Sequence, residues 1–266
     1  MTNKGNMTHE DLIGTLRDLR LHSMARDYGE MAKIAEQEKR TYEQYLWNLA
    51  VNESAHRKEQ KVKQLIKAAH FPRHKTVDGY DYASRQGITS KQIARLAQGD
   101  WVKQGANVVL YGGFGLGKTH LAIGIGRALC GQSLRVAFST VHDLIQSLVD
   151  AKKGLTLAKL FKRLDRFDLI ICDELGYLAQ TQEGADLFFQ LISQRAERKS
   201  LLITTNLTYS EWDKVFLNPL STMAAVDRII HVCETFNITG TKSWRAEQAE
   251  KSASKTLTTS ASARTQ

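Results

Sequence analysis

Gly112-Gly113-Phe114-Gly115-Leu116-Gly117-Lys118-Thr119 decides how the rest of this chain is read. It satisfies G-x-x-x-x-G-K-[ST] at every fixed position. Each residue type answers a physical need. Gly112, Gly115 and Gly117 let the backbone take positive φ and approach a phosphate with no Cβ in the way. Successive N–H groups then line one concavity, and the helix that follows adds its N-terminal dipole. Lys118 reaches the β- and γ-phosphates, and the Thr119 hydroxyl is a ligand for Mg2+. A glycine-rich turn before a helix also arises by chance, so the flanks decide. Asn107-Val108-Val109-Leu110-Tyr111 is a short β-branched apolar run, the pattern of a buried parallel strand. His120 to Leu129 reads as a helix. Strand, glycine loop and helix together are the context that a phosphate-binding loop requires. The residues from Gly112 to Thr119, with Phe114 and Leu116 among them, and His120 just beyond, are therefore assigned to a nucleotide cradle.

The other half of the site is expected downstream. Asp168-Leu169-Ile170-Ile171-Cys172-Asp173-Glu174 is an apolar strand ending in two acids. Asp173 follows Lys118 by 55 residues and stands where a carboxylate would complete the Mg2+ shell with Thr119. Glu174 is placed to polarise an attacking water. Ser200-Leu201-Leu202-Ile203-Thr204-Thr205-Asn206 repeats the buried-strand pattern and ends in polar residues. Ligands of an open parallel sheet meet the carboxyl ends of its strands, so Asn206 is expected to orient the water. Its alternative is a strand-end Asn that only starts a turn. The whole set points to ATP hydrolysis; a site that binds ATP without turning it over stays open.

The 266 residues, 42% of them hydrophobic, suffice for one domain or two. No apolar run approaches a membrane span, and the polar N-terminus carries no signal-peptide core. Cys130, Cys172 and Cys233 are far apart and form no C-x-x-C, so a reducing cytoplasm is the expected setting. The net charge of +9 favours a polyanionic partner, most simply nucleic acid. Lys152, Lys153, Lys159, Lys162 and Arg163, with Arg166, cluster between Asp150 and Asp168. These residues are the candidate DNA contacts; the plainer reading is a solvated helix face.

Residues 8–69 carry helical spacing, as in Leu12, Leu16, Leu19 and Tyr42, Tyr45, Leu46, Leu49. They read as a small all-α domain over 1–70. Phe71-Pro72 breaks the helix and opens an irregular connector over 71–90. Beyond a helical stretch at 91–101, strands at 107–111, 134–139, 168–172 and 200–205 alternate with helices at 118–130, 141–151, 184–197 and 221–230. A basic insertion at 153–166 interrupts the series. Alternation of this kind predicts an α/β fold over 91–250, a parallel sheet with helices on both faces. The Ser/Thr/Ala-rich stretch 251–266 is expected to be disordered.

With these residues in hand, the chain resembles the IstB family, ATPase helpers of insertion-sequence transposases in the AAA+ clade of DnaA and DnaC. The resemblance runs from about residue 8 to 247. Lys67-Ala68-Ala69-His70-Phe71-Pro72 and Lys75-Thr76-Val77-Asp78-Gly79-Tyr80-Asp81-Tyr82 resemble the family's connector. Gly117-Lys118-Thr119-His120-Leu121-Ala122 resembles its Walker A segment, and Thr204-Thr205-Asn206-Leu207 with Glu211-Trp212 its sensor-1 segment. Ala225-Val226-Asp227-Arg228-Ile229-Ile230-His231 is similar to its arginine-finger box. Thr239-Gly240-Thr241-Lys242-Ser243-Trp244-Arg245 resembles a closing Gly-x-x-x-Ser-Tyr-Arg, with Trp244 in place of Tyr. Gly113 stands where many relatives carry Pro.

The resemblance implies roles. Arg228 would act in trans on the ATP of a neighbouring copy, and Arg245 as a sensor on its own subunit's nucleotide. It also implies self-assembly around duplex DNA, a transposase partner of the same element, and DNA contact through the 152–166 insertion. The nearest alternative is a DnaC-type helicase loader; a more distant one is a monomeric P-loop kinase.

Overall fold

The computed structural model describes residues 8–176 and 181–240. Trp244, Arg245 and the 251–266 stretch lie outside the described residues. The chain divides into two compact units, Met1–Gln64 and Leu65–Gln266.

The first unit is helical. Its helices are α1 (His9–Asp18), α2 (His22–Gln37) and α3 (Tyr42–Ala68), whose last residues enter the second unit. Thr8 and Asp11 close a capping box on α1. Leu21, at the N-cap of α2, supplies no side-chain cap. The buried Glu53 of α3 does so from a distance, accepting from the N–H groups of Ser23 (2.8 Å) and Met24 (3.2 Å). Arg57 Nε donates to the same carboxylate at 2.8 Å, and Arg57 Nη2 donates to Arg20 O. One acid thus holds α3, the start of α2 and the α1–α2 turn together.

The second unit opens with the connector and α4 (Ser90–Gln98), which ends at a left-handed Gly99 before the short α5 (Asp100–Lys103). The stretch expected as one helix over 91–101 is therefore two. Then β1 (Asn107–Gly112), α6 (Lys118–Gly131), β2 (Val136–Thr140), α7 (Val141–Lys153), α8 (Leu157–Leu164), β3 (Leu169–Leu175), α9 (Gln182–Arg195) and β4 (Ser200–Thr205) follow. After a 3-10 turn at Tyr209–Glu211 come α10 (Asp213–Phe216), α11 (Pro219–Ile230) and β5 (Cys233–Ile238). The strands form one parallel sheet in the order β2-β3-β4-β1-β5.

Period-two alternation sorts the core into two layers. Val108, Leu110, Leu169, Ile171 and Leu202 face α4 and α6. Val109, Ile170, Cys172, Leu201 and Ile203 face the layer of α7, α8, α9, α10 and α11. The chain is an α/β protein with helices on both faces of a parallel sheet.

The 153–166 insertion contains a helix, as its solvated-face reading expects: α8 buries Leu160, Phe161 and Leu164 and leaves Lys159, Lys162 and Arg163 in solvent. Two elements differ from the sequence expectation. β3 runs on through Leu175, so Asp173 and Glu174 lie within the strand and not beyond it. β5 was not expected. It lies beside β1, pairing from Asn107↔Cys233 to Gly112↔Ile238.

Arg195 fixes the base of the basic arm. It is 1% exposed, and its guanidinium donates to the carbonyls of Leu164, Phe167, Asp168 and Ser200. Burial pulls its pKa down to about 10, so it stays charged at neutral pH.

Burial pushes the Glu53 pKa up, but Arg57 and the two backbone donors outweigh it and hold the carboxyl below its ordinary value of 4.5. A depressed carboxyl contributes stability above the unfolded pKa and loses it as pH falls through the folded one. Glu53→Gln should therefore lower the thermal midpoint at pH 7, at a cost of about 1–3 kcal/mol for buried donors left poorly paired. The gap from wild type should close as pH falls from 5 toward 3, followed by circular dichroism. A gap that is constant with pH would show that the ionised carboxylate is not what holds α2.

Candidate nucleotide site

β1 delivers the loop and α6 receives it. Two glycines are required by close approach. Gly112 has φ +148°, and a Cβ there would lie 2.2 Å from Ile238 O. The unforeseen β5 is therefore the wall behind the first glycine. Gly117 has φ +84°, and its Cβ would lie 2.6 Å from Cε2 of Tyr80.

Tyr80 braces the loop from the connector. Its hydroxyl donates to Leu116 O at 2.8 Å, and its ring meets His120 edge-on at 5.6 Å and Tyr82 at 4.9 Å. Burial pushes the Tyr80 pKa up to about 12, so the phenol keeps its proton. His120 in turn lies 2.9 Å through Nε2 from Thr76 O. Phe114 is exposed at the loop tip, whereas Leu116 is buried beneath it. Lys118 Nζ donates to Gly112 O (2.8 Å) and Gly113 O (2.7 Å). Burial lowers its pKa, against the pull of Asp173 and Glu174.

The acidic strand meets the loop at Asp173. This carboxylate is 3% exposed and accepts from Thr119 Oγ1 at 2.9 and 3.0 Å. Thr204 Oγ1 of β4 donates to it as well, and itself accepts from the Glu174 N–H at 2.9 Å. Burial raises the Asp173 pKa, partly offset by the hydroxyls of Thr204 and Thr119. Thr119 and Asp173, assigned to Mg2+, are thus already in contact. Both offer oxygen, the ligand type that a hard divalent cation prefers.

Glu174 is exposed and has φ +64°. The β3–β4 register shifts between Cys172 and Leu175, so Glu174 is the extra residue of a bulge, which re-aims a side chain. A left-handed Glu costs on the order of 1–3 kcal/mol. The strain falls on the residue assigned to the attacking water. Asn206 is half-buried just beyond β4, whose last residue Thr205 pairs with both Tyr111 and Leu175.

Other assigned residues lie apart. Arg228 sits on α11, in the layer opposite α6. Its Nη1 donates to Ala224 O at 3.0 Å, and its guanidinium lies 5.3 Å from the Phe189 ring centroid. Lys152 and Lys153 end α7 in solvent, with Lys152 paired to Glu183 at 2.9 Å. Thr204, Tyr80 and Phe189 were given no role from the sequence. Thr204 had a signal in its place on the strand that ends at Asn206. The other two act through tertiary contact and have none.

Gly117→Ala should weaken binding of a fluorescent ATP analogue at least tenfold with the fold retained, since left-handed backbone and the Tyr80 ring both oppose a methyl. Tyr80→Phe removes one hydrogen bond worth about 0.5–1.5 kcal/mol and should weaken binding roughly two- to tenfold. Unchanged affinity in both variants would show that the brace does not shape the loop.

The family model for IstB-like ATP binding proteins matches residues 14–252. An insertion-sequence ATP-binding protein of Sinorhizobium fredii is 36% identical over 94% of this chain and 84% of its own length. The IS232 ATP-binding protein of Bacillus thuringiensis is 33% identical over 88% and 93%. Among solved structures, the DnaC helicase loader superposes with a TM-score of 0.53 at 21% identity, over 66% of this chain and 99% of that one. The replication initiator DnaA bound to AMPPCP and single-stranded DNA gives 0.54 at 18%, over 66% and 54%. These two likenesses show that the chain shares their fold. By sequence, the chain belongs to the IstB-like ATP-binding proteins of insertion sequences.

Proposed function

We propose that this protein hydrolyses ATP and uses it to assemble on duplex DNA and serve the transposase of its own mobile element. The observation that carries the hydrolytic part is the Thr119–Asp173–Thr204 cluster with Glu174 beside it. The buried Asp173 forms no ion pair among the described residues, and a cation there would favour its ionised form. Thr119 and Asp173 would hold Mg2+, which would supply neutralisation of phosphate charge.

Lys118 leaves the carbonyls of Gly112 and Gly113 to grip phosphate oxygens. Glu174 takes a proton from water, whose oxygen bonds to the γ-phosphorus as the bond to the bridging oxygen breaks, and later releases that proton to solvent. The products are ADP and phosphate, and Asn206 orients the water. Arg228, on the far helix layer of its own chain, completes the site of a neighbouring copy and neutralises charge on the transferring group. The helical 1–70 region takes the protein partner. The basic arm of α7 and α8 takes DNA phosphates, giving binding that tolerates sequence and falls steeply with salt. The insertion-sequence relatives support the transposase assignment.

Glu174→Gln should keep ATP affinity and lower turnover by about 10²–10⁴-fold, the usual contribution of a general base. Arg228→Ala alone should also be slow. Mixing Arg228→Ala with Glu174→Gln should restore part of the rate, because mixed neighbours rebuild one complete site. A mixture no faster than its components would place Arg228 outside the trans role.

Binding to duplex DNA, followed by anisotropy against salt, should give a steep log–log slope. Lys159→Ala/Lys162→Ala/Arg163→Ala should reduce that slope by roughly 2–3, at about 0.9 per phosphate contact. A flat salt response would remove the phosphate-contact reading of the arm.

A further inference from the structure

Leu155 breaks two rules at once. It is the apex residue between α7 and α8, it is 95% exposed, and it holds φ +55°. The turn is a Schellman closure: Thr156 N–H donates to Ala151 O (2.8 Å) and Leu155 N–H to Lys152 O (3.1 Å). Its left-handed position ordinarily falls to glycine, and a side chain there carries a backbone penalty. Gly154 stands one place too early, at φ −82°. Among the described residues Leu217 is the other apolar side chain on left-handed backbone, and it is 45% exposed.

The surroundings of Leu155 are basic. Lys152 and Lys153 precede it, and Lys159, Lys162 and Arg163 line the solvent side of α8. The support is packed into the core. α8 is anchored by Leu160, Phe161 and Leu164, and Arg195 holds the carbonyls of Leu164 and Phe167. An exposed apolar tip flanked by two helices that carry basic residues matches the chemistry of architectural DNA binders. Such proteins grip phosphates on either side and push an apolar wedge between base steps.

We propose that Leu155 is a wedge that inserts between adjacent base pairs of duplex DNA and kinks it. This rests on the reading of the α7–α8 arm as the DNA-contacting surface. It adds what the lysines alone do not supply, a local unstacking that converts binding into bending. Flexible pyrimidine–purine steps are the favoured point of entry.

The test uses the full chain on a short duplex carrying a dye at each end and 2-aminopurine at a central step. Energy transfer reads bending, 2-aminopurine emission reads unstacking, anisotropy reads affinity, and mass photometry reads assembly. Wild type should raise both transfer and emission. Leu155→Ala and Leu155→Gly should lose most of both signals while affinity changes less than fivefold, and Leu155→Met should retain them. Leu155→Gly also controls for folding, because glycine suits this backbone and should not lower the thermal midpoint. Wild-type bending in Leu155→Gly overturns the wedge and leaves the basic arm standing. Smaller assemblies with unaltered bending assign the apex to a contact between copies and overturn it too. A wild-type chain that binds no DNA overturns the wedge and the arm together.

Discussion

Asp173 is buried where α6, β3 and β4 meet, and the site is organised around that fact. A carboxylate in low dielectric is tolerated only with hydrogen-bond donors supplied. Here they are Thr119 from the first turn of α6 and Thr204 from the end of β4. The arrangement fixes more than the acid. Thr119 directly follows Lys118, so pinning one sets the root of the other. Thr204 also holds the Glu174 backbone, so the same hydroxyl positions the acid and its bulged neighbour. One buried charge thereby aligns three strand or helix ends that are far apart in sequence.

A second constraint acts from outside the sheet. The connector carries no regular element of its own between α3 and α4, yet Tyr80 fills the space that any side chain at Gly117 would need. The hydroxyl bond to Leu116 O and the edge contact with His120 tie both ends of the loop's second half to one ring. Ile238 does the same for Gly112 from the other side. The loop is thus walled by two segments, one preceding the sheet and one closing it, and its glycines are required by those walls as well as by any phosphate.

Where backbone geometry restricts residue choice, the site was legible. Positive φ at Gly112, Gly115 and Gly117 and the fixed Lys118-Thr119 leave few alternatives, and an apolar run ending in Asp173-Glu174 marks a strand end. The α/β alternation was legible because buried parallel strands are continuously apolar. β5 escaped because it is an edge strand in which the half-buried Glu234 and the exposed Thr235 and Asn237 dilute the pattern to two buried residues, Phe236 and Ile238. The left-handed Glu174 escaped because a bulge arises from register between strands, which no local sequence states. Tyr80 and Phe189 escaped for a related reason: a ring's partner across the fold has no spacing signature.

The position of Arg228 gives the proposed assembly a physical logic. In its own chain the guanidinium rests on Phe189 and Ala224 O, in the helix layer across the sheet from α6. The segment that carries it continues directly into β5, which ends against Gly112. A neighbour that draws Arg228 outward would therefore pull on the strand that walls the donor's own phosphate loop. Contiguity of this kind is a path and not a coupling energy. It places the residue proposed to act in trans and the wall behind Gly112 on one stretch of about twenty residues, Pro219 to Ile238. In the proposed assembly, the same short piece of chain would touch both the site of its own copy and the site of the next.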